Sequence, residues 1–180
     1  AENEIRYSLK DGKATVVIRS TTISGAKVIP SQITYKGTAY RVTSIDSYAF
    51  YDCSSLTSIK IPRGVTSIGN SAFDGCSSLT SIEIPSSVTS IGEYAFYGCS
   101  NLTNIEIPSG VTSIGKYAFY GCSNLTNIEI PSSVTSIGSF AFSYCSSLTI
   151  YCEAESQPSG WNSSWNYSNC NVVWDYKQNG

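Results

Sequence analysis

SSVTSIGEYAFYGCSNLTNIEIP, residues 86–108, is followed at once by SGVTSIGKYAFYGCSNLTNIEIP, residues 109–131, and the two differ only at Ser87/Gly110 and Glu93/Lys116. Residues 63–85 are a third copy, residues 40–62 a looser one, and residues 132–154 begin a fifth that loses the pattern after Leu148. A repeat of 23 residues marks a solenoid. One such unit is too short to bury its own apolar face, so the copies must stack and share a core.

Within one copy the apolar positions are Val88, Ile91, Ala95, Phe96, Cys99, Leu102, Ile105 and Ile107. Leu102-x-x-Ile105-x-Ile107 predicts a short strand with Asn104 and Glu106 pointing outward, ended by Pro108, which cannot donate to a ladder. Val88-Thr-Ser-Ile91 predicts a second, shorter strand. Gly92 is read as a turn, and Tyr94-Ala95-Phe96 as a single 3₁₀ or α turn. Stacking at about 4.8 Å places Phe50, Phe73, Phe96, Phe119 and Phe142 in one aromatic spine beside a Leu column.

Both ends leave the repeat, as an open solenoid requires if its terminal strands are not to pair with other chains. Around Asp11-Gly12 the alternation of residues 5–18 predicts a β-hairpin, and a second hairpin turns at Lys36-Gly37. Residues 1–39 are accordingly an N-terminal β cap with a degenerate coil, and 40–154 are five repeats. Residues 155–180 form a C-terminal cap sealed by Trp161, Trp165 and Trp174, with Asn171–Trp174 as its closing strand. The fold class is a β-rich, right-handed solenoid of one domain. Ala1-Glu2-Asn3 carries neither a signal peptide nor an initiator Met, which predicts a chain trimmed by processing or cloning.

Charged residues are only 13% of the chain and the net charge is −2. Without a basic cluster there is nothing to neutralise a phosphate backbone or an anionic membrane, so neither nucleic acid nor a lipid surface is expected as partner. No apolar run is long enough to span a bilayer, so no membrane insertion is expected. The chain has no His, hence no ready general base, and the expectation is no catalytic residue, no metal and no cofactor.

The motif Ser90-Ile91-Gly92, Ala95-Phe96, Gly98-Cys99-Ser100, Leu102-Thr103 and Ile105-Glu106-Ile107-Pro108 resembles the BspA-like, Treponema-type leucine-rich-repeat family, over about residues 26–174. The resemblance implies a bacterial surface or secreted protein, extracellular in location. Some such proteins bind host matrix proteins or other cells. It carries over no site residue.

Two outward columns are candidate binding surfaces. On the strand face they are Ser58, Ser81, Asn104 and Asn127, and Lys60, Glu83, Glu106 and Glu129. The carboxylates repel by only about 1 kcal/mol per neighbouring pair in water, so the column is tolerable as a solvated face without a ligand, the alternative being contact to a basic partner or a cation. The aromatic alternative comprises Tyr48, Tyr94 and Tyr117, in line with Phe140, beside Tyr51, Tyr97 and Tyr120. Such ladders suit protein contact or sugar stacking, or else merely cover their turns. Cys53, Cys76, Cys99, Cys122 and Cys145 recur at the repeat step and are read as buried free thiols. Cys152 and Cys170, off that step, are the candidates for a disulfide. The expected function is a non-enzymatic adhesion or protein-binding module for a host extracellular or cell-surface protein. Glycan binding, a structural spacer, or an engineered repeat scaffold are the alternatives.

Overall fold

The computed structural model describes residues 4–18 and 20–177. Its chain winds into stacked coils with three sides. The first side begins with an antiparallel hairpin, β1 (Tyr7–Lys10) and β2 (Lys13–Val16), turning at Asp11-Gly12 where both residues have positive φ. β3 (Ser24–Val28) then opens the second side. A second hairpin, β4 (Gln32–Tyr35) with β5 (Thr38–Ile45), turns at Lys36-Gly37. Both hairpins lie where the turn chemistry puts them. β5 does double duty, since its later residues pair in parallel with β2 and pass directly into the solenoid.

From there each coil contributes one short strand to each of two sides. Ser-Ile strands β7 (Ser67–Ile68), β9 (Ser90–Ile91), β11 (Ser113–Ile114) and β13 (Ser136–Ile137) extend the first side in parallel register. On the second side stand β6 (Ser55–Lys60), β8 (Ser81–Glu83), β10 (Asn104–Ile105), β12 (Asn127–Ile130), β14 (Thr149–Cys152) and β15 (Asn171–Val173). This second side is split. β3, β6, β8 and β10 form one sheet and β12, β14 and β15 another, with no pairing between β10 and β12.

The third side is not the helical turn that the Tyr-Ala-Phe segment suggests. Within a coil, Tyr97 N–H bonds to the Tyr94 carbonyl and Cys99 N–H to the Phe96 carbonyl, both i→i+3. The intervening Tyr94, Phe96 and Gly98 N–H groups instead cross to Lys116, Ala118 and Tyr120 of the next coil at 2.8–2.9 Å. Alternate donors leave the coil, so chained β-turns replace a helix and the third side becomes an inter-coil ladder. Tyr94, Tyr117 and Phe140 take left-handed φ of 56°, 55° and 57° to do this. Each such non-glycine residue costs about 1–2 kcal/mol, offset by the crossing hydrogen bonds.

The core consists of columns. Phe50, Phe73, Phe96, Phe119 and Phe142 are fully buried and stack face to face at 5.0–5.4 Å. Trp165 closes the spine edge-on to Phe142, and Trp161 packs against Trp165 at 4.8 Å. Trp161 also bridges to Ile137 and donates its indole N–H to the Val134 carbonyl. The cap therefore imitates one more coil.

Candidate functional site

The cysteine column was read as a set of small apolar fillers, and the structure gives it a further task. Four of the five thiols donate to the Phe carbonyl of the coil before them: Cys76 to Phe50, Cys99 to Phe73, Cys122 to Phe96 and Cys145 to Phe119, at 3.0–3.2 Å, while Cys53 donates to the Ser20 carbonyl. A buried carbonyl thereby gains a second donor where no water reaches. Burial first, and neighbouring thiols second, push Cys99 and Cys122 well above the ordinary thiol range and Cys145 up to about 12. These sulfurs are protonated donors, not nucleophiles.

The two disulfide candidates, Cys152 and Cys170, are both unbonded in the structure and stand in different columns. Cys152 sits in β14 opposite Ile130 of β12, in the strand column. Cys170 instead points its Sγ at the Phe142 and Cys145 carbonyls, 3.6 Å away, as the next rung of the thiol column. The cap loop inserts extra residues, so the rung falls off the repeat step in sequence but stays on it in space. In native protein, iodoacetamide at pH 8 is expected to alkylate the half-exposed Cys170 first and to leave Cys76, Cys99 and Cys122 unmodified. Intact mass and peptide mapping read this out. A gain of two hydrogens on reduction, or equal labelling of the buried column, would contradict it.

On the strand face, Lys60 pairs with Glu83 at 2.8 Å, so the first carboxylate of the expected acidic column is neutralised. Glu106 and Glu129, with Asn104, Ile105 and Asn127, line a shallow cavity at the break between β10 and β12. Ser58 and Ser81 stand in register on β6 and β8. The second cross-coil ion pair, Lys116 to Glu93 at 3.4 Å, lies on the opposite corner. Among the described residues no group of three or more His, Cys, Asp or Glu side chains converges.

The aromatic columns come together more extensively than their spacing implied. Tyr94 stacks on Tyr117 at 4.9 Å, and Tyr117 on Phe140 at 5.2 Å. Alongside, Tyr97 stacks on Tyr120 at 4.7 Å with ring planes 3° apart. The columns are cross-linked at 5.6–5.7 Å by Tyr94–Tyr97 and Tyr117–Tyr120 contacts. Tyr144 and Tyr167 continue them, against Tyr120 and Phe140. Sequence periodicity missed these two. Tyr144 stands at the Gly98 and Gly121 position of its coil with a left-handed φ of 59°, and Tyr167 lies in the cap. Burial, then the Tyr144 and Tyr97 phenols, push the Tyr120 phenol up. In the coil of residues 63–85 the same positions hold Ser71 and Asp74, so Tyr48 and Tyr51 are separated from the main ladder. A pocket lined by Ser20, Thr21, Ser47, Tyr48 and Tyr51 opens on their outer side.

Three stacked sides, a 23-residue period and a Phe–Cys–Leu core are features that other proteins share. The family model for the BspA type leucine-rich repeat region matches residues 41–171 in 6 copies. The chain belongs to this family. A Bacteroides ovatus leucine-rich repeat protein of known structure is 38% identical, with a TM-score of 0.76, over 88% of this chain and 41% of its own. The leucine-rich repeat protein of Treponema pallidum is 34% identical, with a TM-score of 0.74, over 82% of this chain and 68% of its own. A leucine-rich cell surface protein from Faecalibacterium prausnitzii is 32% identical, with a TM-score of 0.57, over 88% and 55%. This chain thus matches about two fifths, 41%, of the length of the first of these relatives. No curated protein sequence matches it.

Proposed function

We propose that this BspA-type chain is a non-enzymatic recognition module of a bacterial cell surface, binding a host matrix or cell-surface protein through its aromatic face. The observation that carries this reading is the continuous outer ladder of Tyr94, Tyr97, Tyr117, Tyr120, Phe140, Tyr144 and Tyr167. A fold that already buries a Phe spine has no need of a second aromatic column outside it. Rigid tyrosines offer large contact area at small entropic cost, the composition expected of a recognition surface. The cell-surface description of the Faecalibacterium relative supports the location.

Ring orientation favours protein over glycan. Sugars stack on a ring face, and inside this ladder each face is covered by the next ring at 4.7–5.2 Å. What remains outward is edges and hydroxyls, which suit the polar rim of a protein interface. The test is binding to a panel of purified matrix and cell-surface proteins, beside a glycan array. A Tyr97→Ser/Tyr120→Ser variant is expected to weaken the bound partner about tenfold or more. Glu83→Gln/Glu106→Gln/Glu129→Gln is expected to change it by less than about threefold. Asp74, at the same position of a well-formed coil, shows that the fold accepts a polar side chain there. Equal binding by the tyrosine variant, or hits confined to the glycan array, would overturn the reading.

A further inference from the structure

The break in the aromatic ladder omits one ring from each column, a slot in register with the buried Ser71 and the partly buried Asp74 at its floor. Hydrogen bonds from Tyr48, Phe50 and Asp52 N–H to Asn70, Ala72 and Asp74 carbonyls, and from Ser71, Phe73 and Gly75 N–H to Glu93, Ala95 and Tyr97 carbonyls, hold the three coils in register. The Tyr48/Tyr51 pair and the Tyr94/Tyr97 pair therefore lie in the same columns two coil steps apart, about 9.5 Å. Among the described residues no ring contact joins the two pairs. Tyr48 and Tyr51 are 56% and 49% exposed, as rings with no ladder neighbour on either side among the described residues. A planar group placed midway would stack at the 4.7–4.9 Å spacing found within the ladder.

The coil between them supplies charge. Asp74 stands where Tyr97 and Tyr120 stand in later coils, and Asp52 lies beside it, its Oδ1 reaching toward Gly75. Among the described residues no Lys or Arg pairs with either carboxylate. Burial foremost, and the Asp52 charge in addition, push the Asp74 carboxyl up against a Ser71 hydroxyl that holds it down. Among the described residues the negative charge in this slot thus has no basic partner, and at Asp74 it is partly desolvated.

The geometry points to a slot that takes an arginine side chain of the partner protein, its guanidinium stacked between Tyr51 and Tyr97 and hydrogen-bonded to Asp74. Guanidinium is the one protein side-chain group that is planar, permanently cationic and rich in donors, and it pairs with a carboxylate while stacking on aromatic faces. A lysine ammonium lacks the plane, and a neutral sugar leaves the carboxylates unpaired. The inference rests on the aromatic face being the recognition surface and names the chemistry it reads.

The probes are N-acetyl-arginine amide, its neutral isostere N-acetyl-citrulline amide, and N-acetyl-lysine amide, titrated into the full chain with labelled tyrosine rings. Arginine is expected to shift the ring signals of Tyr48, Tyr51, Tyr94 and Tyr97 with a half-saturation about tenfold below that of citrulline. Asp74→Asn is expected to abolish that preference. Ser71→Tyr/Asp74→Tyr, which restores the residues of the neighbouring copies and so keeps the fold, is expected to close the slot and abolish the shifts. Equal response to citrulline or lysine, shifts confined to Tyr144 and Tyr167, or an unchanged Asp74→Asn would overturn the assignment. If the slot fails while Tyr97→Ser/Tyr120→Ser still loses the matrix partner, the aromatic-face reading survives. If the slot binds arginine and the protein panel stays silent, the recognition reading fails alone.

Discussion

Moving from pH 7 to pH 9.5 is expected to remove at least about 5–6 kcal/mol of folding stability, enough to bring a domain of ordinary stability, about 5–15 kcal/mol, close to unfolding. The cause is the thiol column. Cys76, Cys99, Cys122 and Cys145 are at most 1% exposed, and burial raises all of them, Cys145 to about 12 and Cys99 and Cys122 well above the ordinary thiol range. In the unfolded chain the same thiols ionise near pH 8.5. A raised folded-state value means that the stabilisation is whole below that point. It drains as pH rises, because only the unfolded chain releases the protons. Each thiol gives up about 1.4 kcal/mol by pH 9.5. Urea unfolding under a phosphine reductant should show the midpoint falling by about 2–3 M at an unchanged slope near 2 kcal/mol/M. A midpoint that stays level between pH 7 and pH 9.5 would show that the column is not held protonated.

Replacing Gly115 with alanine is expected to cost about 3 kcal/mol or more, although the position is neither strained nor apolar. A Cβ built there falls 2.4 Å from the Glu93 nitrogen and 2.6 Å from the Gly92 carbonyl carbon. Those atoms belong to the backbone of the preceding coil and cannot move aside singly. Coil separation would have to grow along the whole corner, lengthening the Gly115-to-Ile91 hydrogen bond of 2.9 Å and its neighbours. Gly98→Ala is the control. It has open space around it but a φ of +67°, so it should lose only about 1 kcal/mol. Parallel thermal or urea denaturation compares the two, and equal losses would rule out coil-to-coil contact as the reason for glycine at 115.

That glycine also shows where sequence reading stops. Ile91-Gly92 looked like a strand followed by a turn, yet Gly92 and Gly115 lie outside the left-handed region and are needed for close approach instead. The period, the buried columns and both hairpin turns were legible, because each follows from residue type at a fixed interval. Features that depend on neighbouring coils were not. Nothing local tells Tyr94 N–H to bond across to Lys116, or separates β10 from β12 when their flanking sequences are the same. Cys170 and Tyr144 were missed for a related reason. The cap reaches the thiol column after a longer loop, and Tyr144 reaches the aromatic ladder from one residue later in its coil.

The crossing hydrogen bonds of the third side also bear on inheritance. Every coil offers its successor the same donors and acceptors that it received, and the described residues of the caps bond to the coils at either end. A copy gained or lost by unequal recombination between the near-identical stretches 86–108 and 109–131 would meet a ready-made seam on both flanks. Adding a copy of the Tyr-Ala-Phe-Tyr kind lengthens the aromatic ladder, while adding one of the Ser-Ala-Phe-Asp kind opens another slot. The order of two coil types along the axis would thus act as a written pattern, editable one unit at a time, on a scaffold indifferent to its content.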